Sequence, residues 1–450
     1  MLEGRDIVCI GTADWTTELP INQHQLMGRF ATANRVLFVE SLGLRRPQLA
    51  SRDLSRIVRR LFRGLRGARR VGDVHVLSPL VVPFHANAKV RALNKRLLRA
   101  QVGWAVRRLR MRRRVLWAYA PQAEELIGSL EPELVVYHCV DDVAAQKGVD
   151  ADSFRAAEER IARRADLVHA SAPALAERMR ALSDHVLYAP NVADTSLFAT
   201  ALEPGPVDPA VAALERPRLV FQGAIVATKL DVALLAEVAR LRPRWSIVLV
   251  GPRGAGDPSG DLSPLDREPN IHLVGAREER DLPTVLRGAD AGLIPYAIND
   301  LTGSIFPMKV YEYLAAGLPV LSTPLPALAG VEAIDVVADA PALVAAFEAE
   351  LALDSPERRA ERSRLAAGHS WEARMKEIAG AWGISGRRRC WGGWESGVGG
   401  LSCSLDFSPG ETGKLSGTGK RKINAAVRER PPTPPLEPLE YFFSSQGSFV

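Results

Sequence analysis

Two charged side chains interrupt an otherwise uncharged stretch, SIFPMKVYEYLAAGLPV, which runs from residue 304 to residue 320. They are Lys309 and Glu312. A polar loop, AINDLTGS, precedes the stretch, and we predict a helix beginning near Pro307, since proline costs little in a first turn. A helix start attracts phosphate, and a carboxylate further along accepts hydrogen bonds from sugar hydroxyls. The pattern is compatible with a nucleotide site; the alternative is a core helix with an exposed Glu–Lys pair.

A second candidate site follows the apolar run RLVFQG at residues 218–223. Gly223 ends the run, and Lys229 lies six positions later. A lysine opposite two phosphates neutralises the charge that grows on a leaving diphosphate. The alternative is a solvated lysine near a helix start, which the helix dipole disfavours.

His138, Asp141 and Asp142 come at the end of the apolar run LVVYHCV, residues 134–140. We expect them at the carboxyl end of a strand, where open α/β sheets bind ligands. His138 is then a candidate catalytic residue, and Asp141 a candidate on the acceptor side. A structural histidine, and helix-capping or turn roles for the aspartates, remain the alternatives.

The first loop, GTADWTTELPINQH at residues 11–24, adds Gly11, Asp14 and Trp15 as acceptor-side candidates. Gly11 would let a ligand approach the backbone closely. A packed loop is the alternative. The chain has neither Gly-x-Gly-x-x-Gly nor a P-loop motif, which disfavours dinucleotide and P-loop chemistry. Its four cysteines have no metal-ligand spacing, so we predict no metal site, and Cys9 and Cys139 are predicted to be buried thiols.

Short apolar runs alternate with helical stretches along the chain, a pattern typical of parallel sheets covered by helices on both faces. The predicted strands are 6–11, 35–41, 74–79, 114–119, 134–140, 167–171, 186–190, 218–223, 246–251, 271–275, 291–296, 319–323 and 334–338. The predicted fold class is therefore α/β, with two Rossmann-like, doubly wound domains facing each other across a cleft.

Composition sets the predicted boundaries. They are an N-terminal acceptor domain at 1–198, a Pro-rich linker at 199–217, a C-terminal donor domain at 218–365, a helix at 366–383 and a tail at 384–450. The tail has 26 Gly, Pro or Ser residues among 67 and no periodicity, so we expect it to be mostly disordered.

The motifs around Glu312 and Lys229 resemble those of GT-B glycosyltransferases, specifically the large retaining family 4. That family has Glu, seven residues, Glu, then a tail similar to YLAAGLPV; Glu312 matches the second Glu, but Ser304 stands at the first. A subgroup without the first Glu looks like this chain. We therefore expect the donor contacts of the missing Glu to pass to backbone amides of Ser304, Ile305 and Phe306, beside Lys309.

The resemblance extends to two further motifs. Gly223 and Lys229 keep the offset of the family's diphosphate-binding loop, although Ala224 replaces its Arg and Leu230 its Gly. The segment YAPNVADTSLF, residues 188–198, resembles a hinge-side landmark of the family through Asn191, Asp194 and Phe198.

The resemblance implies transfer of a sugar from a nucleotide diphosphate sugar to an acceptor with retention, without metal or other cofactor. It also implies a histidine contact to the donor sugar and a C-terminal helix, 371–382, that crosses back onto the N-terminal domain. The alternatives are a sugar-nucleotide epimerase of the same architecture and a non-catalytic sugar-nucleotide-binding subunit. An epimerase needs no acceptor, and a binding subunit would not turn over.

Charge is concentrated in one block. Between Arg45 and Arg114 there are 21 Lys and Arg residues against two acidic ones, a balance of +19 in a chain whose net charge is +6. Segments 54–70 and 90–114 read as amphipathic basic helices, which favour an anionic membrane surface and a glycan or lipid-linked acceptor. Core-packed helices with solvated basic faces are the alternative. No nucleic-acid-binding motif accompanies the charge.

No apolar run is long enough to span a bilayer, and the N-terminus lacks a signal-peptide pattern. We therefore expect a cytoplasmic protein, peripheral on the inner face of the cell membrane.

Overall fold

The computed structural model describes residues 3–17, 20–42, 67–82, 88–145, 149–254 and 260–389. All of them belong to one compact unit, Met1–Gly393. Within this unit the strands form two sheets, one in each half of the chain.

The first sheet has eight strands in the order β3-β4-β2-β1-β5-β6-β7-β8. They are β1 Asp6–Ile10, β2 Arg35–Val39, β3 Arg69–Val71, β4 Val74–Leu77, β5 Arg114–Ala118, β6 Leu134–Cys139, β7 Leu167–Ala170 and β8 Val186–Tyr188. Neighbouring strands are parallel except β3 and β4, which are antiparallel. The order reverses between β1 and β5, where ligands bind in sheets of this kind.

The second sheet has six parallel strands in the order β11-β10-β9-β12-β13-β14. They are β9 Arg218–Gln222, β10 Ser246–Val250, β11 Ile271–Gly275, β12 Ala291–Ile294, β13 Val320–Ser322 and β14 Ile334–Val336. This is the Rossmann strand order, and its switch point lies between β9 and β12.

Helices cover both faces of the sheets. They are α1 Asn22–Ala31, α2 Ala88–Arg108, α3 Ile127–Leu130, α4 Ala151–Arg164, α5 Pro173–Arg180, α6 Thr195–Ala199, α7 Pro209–Ala212, α8 Val232–Leu241, α9 Ser263–Asp266, α10 Leu282–Arg287, α11 Lys309–Ala315, α12 Ala340–Leu353, α13 Pro356–Ala367 and α14 Trp371–Arg389. Short polar side chains start several of them. Asp150, Asp231 and Ser355, for example, each accept a hydrogen bond from a backbone N–H of the first turn.

The strand predictions are confirmed: each predicted strand is present within a few residues of its expected ends. The apolar runs inside the sheets are buried, as in β1 and β10, because helices pack on both faces, whereas the edge strands β8, β11 and β14 are partly exposed. Cys9 and Cys139 are buried free thiols, also as predicted.

Two helix predictions in the basic block need correction. The helix predicted over 90–114 ends at Arg108, because Arg114 already begins β5. Residues 69–70, predicted as the end of a helix, belong to β3, which pairs with β4 through a turn at Gly72 and Asp73. The remainder of segment 54–70, up to residue 66, lies outside the described residues.

The C-terminal helix crosses back as expected. Trp371, Ile378 and Trp382 of α14 are buried against the first sheet, in one cluster with Phe30 and Trp117. The helix extends to Arg389, six residues beyond its predicted end, and the tail after it lies outside the described residues.

The segment predicted as a linker, 199–217, is bound to the second half of the chain by hydrogen bonds. The Arg287 side chain donates hydrogen bonds to the carbonyl oxygens of Thr200, Glu203 and Pro206.

Within the described residues, no helix is both long and apolar enough to pass through a bilayer.

Candidate active site

The switch point of the second sheet brings together residues from three elements. Gln222 ends β9 and Gly223 follows it, Tyr296 follows β12, and Lys309 and Glu312 lie on α11. Among these, Gly223, Lys309 and Glu312 were predicted as site residues, whereas Gln222 and Tyr296 were not.

Glu312 is held by Gln222. The Gln222 side-chain amide donates a hydrogen bond to Glu312 Oε2, and the Gln222 backbone N–H donates to the Tyr313 hydroxyl at 2.9 Å. Tyr313 fits because residue 292 is glycine: a Cβ there would lie 2.3 Å from the Tyr313 ring. Burial raises the pKa of Glu312 to about 7, although Lys309 and Gln222 act in the opposite direction. Glu312 is therefore a half-buried carboxyl group whose orientation is fixed by Gln222 and which changes its protonation near neutral pH.

Lys309 and Glu312 do not form an exposed ion pair on a core helix, which was the alternative interpretation of this stretch. Lys309 Nζ donates to the Tyr296 hydroxyl at 3.1 Å and lies 5.3 Å from the centroid of the Phe221 ring. Gly223 makes room for this ammonium: it has a φ of +138°, and a Cβ on it would lie 3.0 Å from Lys309 Nζ. A side chain at 223 would therefore be strained and would press on the cation.

Lys229 lies near the same tyrosine. Burial alone would raise the pKa of Tyr296, but the ammonium groups of Lys309 and Lys229 outweigh it and lower that pKa. The Lys229 carbonyl oxygen also accepts a hydrogen bond from the N–H of Ala297 at 2.9 Å, so the Lys229 backbone lies beside the residue that follows Tyr296.

Lys229 also acts electrostatically on a carboxyl group of the first half of the chain. Burial raises the pKa of the Asp141 carboxyl, and Lys229 acts in the opposite direction. Asp141 follows β6 of the first sheet and Lys229 follows β9 of the second, so this electrostatic interaction links residues from the two halves of the chain. The neighbouring Asp142 accepts a hydrogen bond from Arg155 at 2.5 Å.

The backbone amides predicted as phosphate donors are only partly available. The Ile305 N–H donates to the Thr302 carbonyl oxygen at 3.1 Å, so it is already paired. Ile305 is 9% exposed and Phe306 2%. Asn299 and Thr302 fix the loop before them, since the Asn299 Oδ1 accepts from the N–H of Thr302 at 3.0 Å. The helix itself begins at Lys309 and spans seven residues, so Lys309 and Glu312 are the stronger candidates for ligand contact.

Gly11 does not leave space for a ligand. A Cβ at this position would lie 2.4 Å from the Phe38 ring and 2.9 Å from Gln23 Oε1. The glycine therefore allows close packing within the protein, which corrects the expected role. Trp15 likewise packs on Phe38, with ring centroids 4.9 Å apart, and its backbone N–H donates a hydrogen bond to Glu40 Oε1 at 3.0 Å. The Asp14 carbonyl accepts a hydrogen bond from His24 Nε2 at 2.9 Å.

His138 is not exposed to the space between the sheets. It is 3% exposed, stacks on Tyr119 with ring centroids 4.8 Å apart, and contacts His169 on the neighbouring strand. Neither of its ring nitrogens has a hydrogen-bond partner. The histidine points into the layer between the first sheet and α14, so direct contact with a sugar, as expected from sequence, does not fit this arrangement.

The buried pair, His138 and His169, is expected to make the fold acid-sensitive. Burial lowers the pKa of both, that of His169 to about 3, and Arg374 acts in the same direction. The folded chain then binds fewer protons than the unfolded chain, whose histidines titrate near 6.5. Stability is therefore complete above pH 6.5 and is lost as the pH falls below it. Between pH 7.5 and 5 we expect the free energy of unfolding, measured with denaturant, to fall by about 1–2 kcal/mol per histidine.

A His138→Leu/His169→Leu variant separates this effect from general acid unfolding. Removing both rings should flatten the loss between pH 6.5 and 5, whereas His185→Asn, at an exposed histidine, should not. A double variant with the same pH slope as the parent would contradict the assignment.

Polar contacts connect the two halves around the site. Gln25 of α1 donates to both carboxylate oxygens of Glu279 at 2.6 and 2.5 Å. Asn191 accepts from Asn22 at 2.7 Å and donates to the Phe306 carbonyl oxygen at 2.8 Å. Asn191 therefore bridges the halves, in keeping with its predicted hinge-side position.

The sequence analysis missed Gln222, Tyr296, Gln25 and Glu279. A signal existed for Gln222, since it is the polar last residue of an otherwise apolar strand and directly precedes a glycine. Gln25 and Glu279 gave no such signal, because their contact joins positions 254 residues apart.

Part of the chain is similar in sequence to known proteins. Residues 216–352, which contain the switch point, match the family model described as Glycosyl transferases group 1. A curated relative, the putative teichuronic acid biosynthesis glycosyltransferase TuaH of Bacillus subtilis (strain 168), is 31% identical over 225 residues. The match covers 47% of this chain and 55% of the relative, so the chain spans about half the length of the relative it matches.

Solved structures show the fold. Sucrose-phosphate synthase from Thermosynechococcus elongatus matches with a TM-score of 0.59 and 17% identity, over 86% of this chain and 99% of that one. Anabaena Alr3699/HepE in complex with UDP and glucose matches with a TM-score of 0.58 and 14% identity, over 84% and 99%. The α,α-trehalose-phosphate synthase from Burkholderia vietnamiensis matches at 0.59 and 12%, over 85% and 100%. The chain therefore has a two-domain α/β fold of the GT-B type, as predicted.

Proposed function

We propose that this chain is a glycosyltransferase that moves a sugar from a nucleotide diphosphate sugar to an acceptor hydroxyl. The observation that supports it most directly is the position of Lys229, Lys309 and Glu312 around the switch point between β9 and β12. Glu312 accepts a hydrogen bond from Gln222, Lys309 donates to Tyr296, and the Lys229 carbonyl oxygen accepts from the N–H of Ala297. The family match of residues 216–352 covers the elements that carry these three side chains.

In this proposal the three side chains bind different parts of the donor. The Glu312 carboxylate accepts hydrogen bonds from the ribose hydroxyls, with Gln222 fixing its orientation. Lys229 and Lys309 face the diphosphate, whose negative charge suits two ammonium groups; the small Gly223 lies beside that of Lys309. These two cations neutralise the leaving group, so the proposed reaction is metal-independent. Among the described residues, no three His, Cys, Asp or Glu side chains form a metal-binding group.

The reaction breaks the bond between the anomeric carbon and the diphosphate oxygen and forms a bond from that carbon to the acceptor oxygen. An oxocarbenium-like transition state develops, and the lysines stabilise the charge that accumulates on the diphosphate. The leaving diphosphate takes the acceptor proton, which places the acceptor on the side of the leaving group and gives retention. We assign Asp141, which follows β6 of the first sheet, to the acceptor side; its electrostatic interaction with Lys229 supports this assignment.

The acceptor class that we propose is a lipid-linked or cell-envelope glycan. The TuaH relative bears a name that refers to teichuronic acid biosynthesis. The basic character of the first half suits an acceptor that is presented at an anionic surface.

A panel of nucleotide sugars tests the proposal. We expect one of UDP, GDP, ADP or TDP to raise the melting temperature most, and the matching sugar nucleotide to give an acceptor-dependent glycoside product. UDP is the first choice, since Alr3699/HepE is described in complex with UDP-glucose. A product formed without acceptor would indicate an epimerase, and binding without turnover a binding subunit; either result would refute the transferase.

A further inference from the structure

The long helix α2 has two opposite faces. Its inner face is buried in the core of the first half of the chain through Asn94, Leu98, Val102 and Ala105. Its outward face presents one exposed row, spaced four, three, four, four and three residues apart, as expected along one side of a helix. We call this row the outer stripe; it consists of Lys89, Leu93, Arg96, Ala100, Trp104 and Arg107.

The outer stripe exposes two large apolar side chains. Leu93 is 45% exposed and Trp104 47%. At 1.5 Å per residue the stripe is about 27 Å long. One side of the Trp104 ring packs beside Gly67, where a Cβ would lie 2.6 Å from it, and the Arg108 guanidinium lies 5.4 Å from its centroid. About half of the surface of Trp104 and of Leu93 still faces water among the cations of the same helix face, as in helices that lie on a membrane surface.

Charge on α2 is of one sign. Its sequence, AKVRALNKRLLRAQVGWAVRR, contains no Asp or Glu. On the flank, Lys95 and Arg99 pair with Glu125, at 2.7 Å for Arg99. In the outer stripe, by contrast, Arg96 and Arg107 form no ion pair with any described carboxylate. The unneutralised cations thus lie in the same row as the exposed apolar side chains.

We infer that the outer stripe docks onto the surface of an anionic lipid bilayer. Leu93 and Trp104 would enter the boundary between headgroups and acyl chains, a region that favours tryptophan. Arg96 and Arg107 would contact lipid phosphates beside them. Charge complementarity selects an anionic membrane, and the apolar pair distinguishes it from nucleic acid, whose backbone offers nothing for an exposed leucine. The inference goes beyond sugar transfer and requires no substrate.

Co-sedimentation of the full chain with lipid vesicles tests this directly. We expect binding to vesicles of phosphatidylcholine mixed with phosphatidylglycerol, little binding to phosphatidylcholine alone, and weaker binding at high salt. Leu93→Ser/Trp104→Ser and, separately, Arg96→Glu/Arg107→Glu should each weaken the partition coefficient at least about tenfold. The matched control, Leu353→Ser/Arg364→Glu on exposed positions of α12 and α13, should bind as the parent does.

A second measurement reports the position of Trp104. Brominated lipids should quench part of the tryptophan fluorescence in the parent, and Trp104→Phe should abolish that part without changing the melting temperature. Failure of the parent to bind anionic vesicles, or quenching that survives Trp104→Phe, would overturn the inference. So would self-association that Leu93→Ser/Trp104→Ser abolishes without affecting vesicle binding, since a second copy would then occupy the stripe. None of these outcomes bears on donor binding, so the proposed transferase activity stands or falls separately.

Discussion

Replacing Glu312 with alanine is expected to lower kcat/KM for the nucleotide sugar by about 100-fold. Two hydrogen bonds from ribose hydroxyls to a charged acceptor contribute about 1.5 kcal/mol each, and their sum corresponds to roughly that factor. Steady-state kinetics with varied donor measures it. Glu361→Ala, at an exposed glutamate of α13, is the matched control and should leave kcat/KM unchanged. Unchanged kinetics in Glu312→Ala would refute the assignment of this residue.

Glu312 should also make kcat/KM depend on pH, which a purely structural role of this residue would not do. Burial raises the pKa of Glu312 to about 7, and only the ionised carboxylate accepts both ribose hydrogen bonds. We therefore expect kcat/KM to rise with pH through about 7. The Gln222 amide opposes this shift by hydrogen bonding to the carboxylate, so Gln222→Leu should raise the pKa further and move the limb to higher pH. If Gln222→Leu left the pH at which kcat/KM rises unchanged, a group other than Glu312 would control that rise.

The second large effect is expected from the two lysines. Lys229→Ala and Lys309→Ala should each lower kcat and kcat/KM together by well over tenfold, roughly 2 kcal/mol or more, because both cations stabilise charge that grows on the leaving diphosphate. The effect on kcat distinguishes this role from simple binding of the donor, which would raise KM alone.

Folding must be checked separately for Lys309, since its loss removes the hydrogen bond to Tyr296. Melting temperatures of both variants serve for this. Lys376→Ala, at an exposed position of α14, is the control. Folded lysine variants with the kinetics of the parent would exclude a diphosphate role for the residue concerned.

Most strands could be predicted because they are short apolar runs that alternate along the chain with the helices that cover them, although the edge strands β8, β11 and β14 are partly exposed. Glu312 and Gly223 could be placed for the same reason. Gly223 directly follows β9, and Glu312 lies on the helix between β12 and β13. Strand β3 could not be predicted this way. Its sequence, RRV, is half exposed and polar, and it pairs only through the turn at Gly72 and Asp73.

His138 shows where sequence reasoning failed. Its position at the end of β6 was predicted correctly, but the face on which its ring lies is covered by α14, more than 200 positions later in the chain. Gly11 failed similarly, because the space beside it is filled by Phe38 from a neighbouring strand. In both cases a non-local element determined what the side chain contacts, and no local pattern reports such an element.

The return of α14 to the first sheet has a consequence during synthesis. The last strand of that sheet ends at Tyr188, but the tryptophan that covers Phe30 and Trp117 is residue 382. At about 5–20 residues per second, a ribosome needs roughly 10–40 s to make the intervening polypeptide. During that interval the first half of the nascent chain carries an uncovered aromatic surface, which makes it a target for chaperones until α14 has emerged from the ribosome.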